Sequence, residues 1–412
     1  MQNIMVAQSG GPTAAINASL AGVVREALLC ESYDKIYGAV HGISGVLEEN
    51  FMELTTPAKV HEDFIKSLIH TPAMYLGSCR FKMPAPEEDP GIYDRIFGIL
   101  EKMNIGAFFY IGGNDSMDTV AKLARAAEKK GSPIRFAGVP KTIDNDLVNT
   151  DHTPGYGSAA KFIAATMLEV AHDTYIYDLP CVTIVEIMGR DAGWLTAAAA
   201  LARNEYNITP QLVYLPEVPF HRAQFLEDVR RELKRSKNVV VAVSEGIRDE
   251  EGVYISAKEA VADKFGHMQL SGVGKVLENL VKRELGTKVR SIELSILQRC
   301  AGHAASAQDL KESCELGEYA VQKTAEGETG FMSVVERVQD EPYIYQIRHS
   351  GLQDIANKAK AVPRKWINEA GNDVTEEMIR YIRPLILGEA RPEWKDGLPV
   401  YLPVAHLNHT GE

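Results

Sequence analysis

The chain has 412 residues, enough for two to three domains with more than one buried core. Hydrophobic residues make up 45% of it and charged residues 24%, which is typical of globular proteins and argues against a disordered chain or a fibre. Its 44 Lys and Arg stand against 56 Asp and Glu, and the net charge of −12 argues against nonspecific binding to nucleic acid or to anionic membranes.

The cysteines and the apolar runs bear on the cellular compartment. Five scattered cysteines without a Cys-x-x-Cys pair predict reduced thiols, not a disulfide frame or a zinc site. No apolar run approaches the ~18 residues of a membrane span, and the first residues lack the basic start and cleavage site of a secretion signal. We therefore expect a cytoplasmic protein that binds neither membranes nor nucleic acid.

Short apolar runs alternate with amphipathic helical patterns along the chain. The predicted strands are 3–8, 106–111, 134–139, 182–187, 212–215 and 239–244, and the run 343–347 is predicted to be a further strand in the core. The predicted helices are 116–130, 158–171, 194–203, 309–325 and 375–382. Because continuous apolar runs suit strands covered on both faces, this alternation predicts an α/β fold with mostly parallel strands.

Ligands of such folds bind beyond the carboxyl ends of the strands, where this chain places glycine-rich and charged loops. Gly10-Gly11 and Gly112-Gly113 each stand between a predicted strand and a helix start. Glycine lets backbone N–H groups approach an oxyanion, and a helix N-terminus favours negative charge. Either pair alone is equally well interpreted as a tight turn, but two such pairs at neighbouring strand ends favour a polyphosphate site.

The loop after the third predicted strand carries Lys141, Thr142, Asp144 and Asp146. Two carboxylates separated by one residue can divide labour, one accepting a proton while the other orients it or holds Mg²⁺. The alternative interpretation is a solvated turn, which Asp and Asn commonly form. The cation of Lys141 favours a site for phosphate and metal.

Further candidates follow other strands. Arg190, in Met188-Gly189-Arg190, offers a planar fork for phosphate or sugar hydroxyls, or else a surface ion pair. Glu245 offers an acceptor for sugar hydroxyls, or else a helix cap.

These loops, in this order and spacing, resemble the phosphofructokinase superfamily and its pyrophosphate-dependent branch. The resemblance covers roughly residues 3–305, with weaker features near 362–367. It implies two Rossmann-like lobes with a cleft between them: a phosphoryl-donor lobe at 1–152, a sugar-phosphate lobe at 153–305, and a segment at 306–412 that packs back on both.

The resemblance also implies roles for single residues. The matches to Gly10, Gly11, Arg80, Asp115 and Lys141 contact the diphosphate, and those to Asp144, Asp146, Lys141 and Arg190 are catalytic, with Asp144 as the base. The matches to Thr142, Asp144, Met188, Gly189, Arg190, Glu245, Arg290, Ile296 and Arg299 bind the sugar phosphate, Arg290 usually from a neighbouring subunit. The implied cofactor is Mg²⁺, with Asn114 at the metal position.

Two positions favour pyrophosphate over ATP. Members that use ATP have glycine where Asp115 and Lys141 stand here. A carboxylate ~4 Å from the α-phosphate of ATP would cost about 4 kcal/mol at an effective dielectric constant of 20, whereas Lys141 can hold the terminal phosphate of pyrophosphate.

Three positions depart from the family pattern. Asn114 replaces the usual metal-binding aspartate, Ile296 a His or Tyr, and Cys181 an arginine. They leave sugar specificity open, including sedoheptulose 7-phosphate as an acceptor.

The sequence therefore predicts a homodimeric or homotetrameric enzyme that transfers phosphate reversibly from pyrophosphate to fructose 6-phosphate. The alternatives are an ATP-dependent 6-phosphofructokinase and a catalytically weak regulatory subunit.

Overall fold

The fold was analysed in a computed structural model that describes residues 1–61, 63–176, 178–256, 261–262, 268–269, 272–355 and 358–405. The strands within these ranges are β1 Gln2–Gln8, β2 Tyr33–Ala39, β3 Phe51–Glu53, β4 Ile105–Gly112, β5 Arg135–Pro140, β6 Cys181–Ile187, β7 Leu212–Tyr214, β8 Asn238–Ser244, β9 Val261–Ala262, β10 Met268–Gln269, β11 Lys288–Glu293, β12 Phe331–Gln339, β13 Ile344–Gly351, β14 Trp394–Lys395 and β15 Leu398–Pro399. The helices are α1 Ile16–Leu29, α2 Gly42–Leu47, α3 Thr55–Val60, α4 Phe64–His70, α5 Pro90–Lys102, α6 Asn114–Lys130, α7 Tyr156–Tyr175, α8 Trp194–Ala198, α9 Arg222–Arg235, α10 Val273–Leu285, α11 Ala307–Glu326 and α12 Glu376–Ile382. None of these helices is long and apolar enough to cross a membrane.

Two sheets form the centres of two lobes. The first has the strand order β13-β12-β5-β4-β1-β2-β3, in which β3 and β13 run antiparallel to their neighbours and the other strands are parallel. The second has the order β11-β6-β8-β7 and is parallel throughout. The predicted α/β class with mostly parallel sheets is confirmed.

Helices cover both faces of each sheet, which explains the continuous apolar runs. In β1, Ile4 and Val6 pack towards α1 and α11, whereas Met5 and Ala7 pack towards α5 and α6. The strand β6 alternates in the same way, with Val182 and Ile184 facing α9 and α10. Because side chains alternate across a strand, both faces must be apolar when both are buried.

The chain after residue 306 contributes to both lobes. The strands β12 and β13 extend the first sheet, and α11 packs against α1 so closely that a Cβ on Gly22 would lie 2.0 Å from the carbonyl oxygen of Cys314. Met378 and Ile382 of α12 are buried in the core of the second lobe. The domain boundaries at 152 and 305 remain predictions.

The sequence-based expectations differ from the structure in a few places. The predicted core strand 343–347 is β13, which lies at the sheet edge with half-buried and exposed side chains, because its outer side has no neighbouring strand. The predicted helix 194–203 is the short α8 followed by a 3₁₀ helix, Ala199–Ala202. The strands β2, β3, β11 and β12 were not among the predicted strands. Their side chains are half-buried, or buried at some positions and exposed at others.

Candidate active site

A cavity of about 510 Å³ lies between the loops at the carboxyl ends of the two sheets. Predicted residues that line it are Gly10, Gly11, Arg80, Asp115, Asp144, Asp146, Met188, Arg190 and Glu245. The first six of these residues belong to the first lobe, whereas Met188, Arg190 and Glu245 follow strands of the second sheet, so the cavity is a cleft.

Lys141 joins two of these loops beneath the cavity. Its side chain is buried, and its ammonium group donates a 2.5 Å hydrogen bond to the carbonyl oxygen of Gly11. Gly10 has a φ of +82°, and a Cβ there would lie 3.3 Å from the ammonium nitrogen. Burial lowers the pKa of Lys141 to about 8, although attraction to Asp144 and Asp146 opposes the change.

The turn that carries the two carboxylates is stabilised by the residue that lies between them. Asn145, between them, has a left-handed φ of +53° and is fully buried. Its amide nitrogen donates to the hydroxyl of Tyr381 at 3.0 Å, and its amide oxygen accepts from the backbone N–H of Thr153 at 3.1 Å. Because Asn tolerates the left-handed conformation and both ends of its side chain are bound, Asp144 and Asp146 are presented on a fixed turn.

The two carboxyl groups interact with each other and with nearby cations. Burial raises the pKa of Asp144 above its usual value, against the opposing charges of Lys141 and Arg190. Burial and the charge of Asp144 raise the pKa of Asp146 to about 6. Raised carboxyl pKa values are typical of groups that exchange protons near neutral pH.

The opposite wall of the cavity is built around Gly189. Its N–H donates to Glu245 at 3.3 Å, and the hydroxyl of Ser244 donates to its carbonyl oxygen. The amide oxygen of Gln298 accepts from the N–H of Met188 at 3.3 Å. Burial raises the pKa of Glu245 to about 7.

Two arginines near the cavity retain unused donors. The Nε atoms of Arg190 and Arg299 are buried without a hydrogen-bond partner in the described part of the chain. Arg299 lies close to the glycine loop, since a Cβ on Gly11 would be 3.8 Å from its guanidinium. Such donors suit an anionic ligand, because guanidinium groups bind phosphate oxygens in a planar fork.

Asn114 also has an unused polar atom. It begins α6, and its amide oxygen is buried with no hydrogen-bond partner among the described residues. The described part of the chain contains no group of three or more His, Cys, Asp or Glu side chains that could hold a metal ion. Asn114 is not among the residues that line the cavity, but it directly precedes Asp115, which is. An unpartnered amide oxygen at this place fits Mg²⁺, which commonly takes few protein ligands and completes its shell with water and phosphate oxygens.

Three residues from the sequence analysis lie away from this cavity. Arg290, on the edge strand β11, pairs with Asp173 and donates to Thr183 at 3.2 Å. Ile296 is 63% exposed in a 3₁₀ helix, Ser295–Arg299. Cys181 begins β6, where its thiol donates to Asn238 at 3.0 Å. Within this single chain, none of the three is among the residues that line the cleft.

A family model for phosphofructokinase matches residues 3–324. The chain belongs to the phosphofructokinase family. The resemblance found in the sequence is therefore confirmed.

Individual relatives of this phosphofructokinase-family chain extend over nearly its whole length. It is 40% identical to a pyrophosphate–fructose 6-phosphate 1-phosphotransferase from Halomonas elongata, over 96% of this chain and 94% of the relative. It is 42% identical to an enzyme of the same name from Xanthomonas campestris, over 98% and 96%. The solved structure of a pyrophosphate-dependent phosphofructokinase from Marinobacter aquaeolei matches with a TM-score of 0.87 at 37% identity, over 97% of this chain and 95% of that one.

The structure adds residues to the phosphofructokinase cleft that sequence reasoning missed. The further lining residues are Ser9, Cys79, Phe81, Lys82, Tyr110, Ser116, Thr119, Asp191 and Ala192. Several are next to predicted positions, so the loops around Arg80 and Arg190 could have been extended by one or two residues. Lys360, whose N–H donates to the carbonyl oxygen of Asp146 at 2.7 Å, had no such signal because it lies far along the chain.

Proposed function

We propose that the protein transfers a phosphoryl group reversibly between pyrophosphate and the 1-hydroxyl of fructose 6-phosphate. The observation that carries the proposal is the loop 140–146, which brings a buried ammonium to the glycine loop and two carboxylates to the cleft. Four relatives that carry the name of this activity are 37–42% identical over 95–98% of this chain, which supports the choice of substrates.

The proposed reaction needs one proton acceptor and charge neutralisation around the transferred group. Asp144 takes the proton of the 1-hydroxyl as its oxygen bonds to phosphorus. The bond from that phosphorus to the bridging oxygen of pyrophosphate breaks, and inorganic phosphate leaves. Asp146 assists Asp144 and keeps the turn negatively charged.

In this proposal, some cations of the cleft bind pyrophosphate and others bind the sugar phosphate. Lys141, Arg80 and the N–H groups of Gly10 and Gly11 bind pyrophosphate. The sugar phosphate binds to Arg190, Arg299 and the loop Met188-Gly189. The sugar itself forms hydrogen bonds with Glu245 and Thr142. Asp115, exposed at the first turn of α6, disfavours a longer nucleotide donor by charge repulsion.

Enzymes of this family generally need a divalent metal ion. We propose that the ion is Mg²⁺ and that the amide oxygen of Asn114 is one of its ligands. When bound, it would neutralise charge on the pyrophosphate oxygens. Asn114 brings no charge, so the attraction for the ion would come from the phosphates and from the carboxylates that line the same cavity.

Arg290 is proposed to serve the site of a neighbouring subunit. It stands on the edge strand β11 and is not among the residues that line the cleft of its own chain. A homodimer or homotetramer in the cytoplasm is accordingly part of the proposal, and the free state of all five cysteines is compatible with that compartment.

A donor panel tests the proposed function. Purified protein with Mg²⁺ and fructose 6-phosphate should release phosphate and form the bisphosphate with pyrophosphate, and should be at least about a hundredfold slower with ATP. Equal rates with both donors would contradict the choice of donor. Binding of sugar phosphate without turnover of either donor would identify a regulatory subunit instead.

A further inference from the structure

Lys360 is a half-buried cation of the C-terminal segment that has no place in the proposed reaction. It lies outside the regular strands and helices, between β13 and α12. Burial lowers its pKa to about 8, against attraction from Asp151 and Asp146. A lysine that is desolvated in this way requires compensation from nearby acceptors.

The side chain of Lys360 finds its acceptors on the chain that follows the catalytic turn. Its ammonium group donates to the carbonyl oxygens of Asp151 at 2.7 Å and Thr150 at 3.1 Å. It also lies 5.2 Å from the centre of the Trp194 ring, within the range of a cation–π interaction. One ammonium therefore joins the chain at 150–151 to the start of α8.

The backbone of Lys360 adds two further links. Its N–H donates to the carbonyl oxygen of Asp146 at 2.7 Å, and its own carbonyl oxygen accepts from the indole N–H of Trp194 at 2.9 Å. Trp194 begins α8, directly after the loop that carries Arg190. Lys360 thus contacts the donor-side turn and the helix behind the sugar-side loop at the same time.

A second support of the turn comes from Tyr381. Tyr381 accepts from the amide of Asn145 and donates to the carbonyl oxygen of Asp151 at 2.6 Å. It does not contact the carbonyl of Asp146 or of Thr150 by any described hydrogen bond. Lys360 therefore binds the carbonyl oxygens of Asp146 and Thr150, which Tyr381 does not. The strand β12 also holds this segment, because the N–H of Val335 donates to the hydroxyl of Thr150 at 3.0 Å, but it makes no described hydrogen bond to Asp146.

We propose that Lys360 is a positioning residue, which fixes the turn bearing Asp144 and Asp146 relative to the loop of Arg190. It touches neither substrate and acts through Asp146, residues 150–151 and Trp194. The proposal deepens the proposed function, on which it rests. Since a misplacement of about 1 Å can lower a rate by about a hundredfold, its removal should affect the chemical step more than binding.

The test compares Lys360→Met with Lys358→Met in the full chain. The first substitution keeps most of the aliphatic stem and removes the charge and its donors, and the second does the same at an exposed lysine two positions earlier. We expect Lys360→Met to lower kcat with pyrophosphate by about 10- to 100-fold while both KM values stay within about threefold. Lys358→Met should match the parent protein.

Hydrogen–deuterium exchange gives a second readout that needs no turnover. Peptides covering 142–155 should exchange faster in Lys360→Met, whereas peptides from β6 should not change. If Lys360→Met does not fold, Lys360→Gln, which keeps a donor and most of the length, takes its place with the same expected directions.

The outcomes separate the two proposals. A parent protein without turnover of any donor would contradict the proposed function, and the exchange of 142–155 would still decide whether Lys360 fixes the turn. Unchanged exchange, or unchanged kcat in an active enzyme, would overturn the positioning role. A rise in KM with kcat preserved would also overturn it, because the residue would then act on binding.

Discussion

The ammonium group of Lys141 donates a 2.5 Å hydrogen bond to the carbonyl oxygen of Gly11, across the ends of two strands of the first sheet. These strands, β1 and β5, lie on either side of β4. The contact fixes the glycine loop relative to the carboxylate turn before any ligand binds. A charge placed in this way is ready for a phosphate oxygen without reorganisation of the loops.

Removal of this charge should weaken the use of pyrophosphate. Lys141→Met keeps the packing of the stem, and we expect kcat/KM for pyrophosphate to fall by about 10- to 100-fold, because a hydrogen bond to a charged group is lost. Steady-state kinetics at saturating fructose 6-phosphate would measure it. The control is Lys129→Met, which removes an exposed lysine paired with Glu87 and should change nothing. A parent-like value for Lys141→Met would exclude a role in donor binding.

Replacement of the proposed base should slow the chemical step alone. Asp144→Asn keeps the shape of the side chain but cannot accept the hydroxyl proton, so we expect kcat to fall by roughly two to four orders of magnitude. Calorimetry should find the affinity for fructose 6-phosphate largely unchanged. Asp178→Asn, at an exposed carboxylate paired with Lys237, is the matched control. Activity within tenfold of the parent would move the base elsewhere, with Asp146 as the next candidate.

Mixed oligomers should reveal whether Arg290 serves a neighbouring site. Asp144→Asn and Arg290→Ala should each be nearly inactive alone, but in a mixed dimer one site carries both changes and the other carries none. Random pairing of equal amounts makes about half of the dimers mixed, so about a quarter of the parental activity should return. Arg283→Ala, at an exposed arginine paired with Glu284, should stay active alone.

Verified mixed dimers that remain as inactive as either single variant would show that Arg290 does not act across an interface. In that case its contacts with Asp173 and Thr183 would be structural.

The buried His152 should make stability depend on pH. It lies between Asp151, at 2.8 Å, and Glu312, and these carboxylates raise its pKa to about 9 despite burial. A folded-state pKa above the ordinary value of 6.5 means that the stabilisation is fully present below pH 6.5 and is lost as the pH rises through 9. The difference between these two pKa values corresponds to about 3 kcal/mol in the free energy of unfolding.

Chemical unfolding at several pH values would measure this contribution. His152→Gln should lower the free energy of unfolding most at about pH 6, and the difference from the parent should shrink towards pH 9.5. His303→Gln, at an exposed histidine, should show no such trend. A difference that is constant over this range would mean that folding does not raise the pKa of His152.

The sequence was informative where a strand is covered on both faces. The six predicted strands of the two sheets all exist, within one residue at each end, because β1, β4, β5, β6 and β8 are apolar on both faces and β7 is short and buried. The strand β11, at a sheet edge, carries Lys288, Arg290 and Ser291 and offers no such run. Edge strands need only one apolar face, so composition alone does not separate them from loops.

The same difference applies to the site. Residues on the strand-end loops could be predicted, because parallel strands bring their carboxyl ends to one edge of the sheet. Lys360 and Tyr381 could not, since their contacts with the turn at 144–151 arise only when the C-terminal segment packs against it. Asn145 was visible in the sequence, but its left-handed backbone and its two anchors were not.

The late strands β12 and β13 bear on how the protein is synthesised. When residues 1–152 have emerged from the ribosome, strands β1 to β5 have been synthesised. The strand β12, which pairs with the outer edge of β5, and the helix α11, which covers α1, are encoded only beyond residue 306. Until then β5 is an open edge, and the face of α1 around Gly22 is bare. The nascent first lobe therefore cannot complete its sheet until the second lobe has been synthesised. Exposed strand edges of this kind can bind chaperones or aggregate before folding is complete.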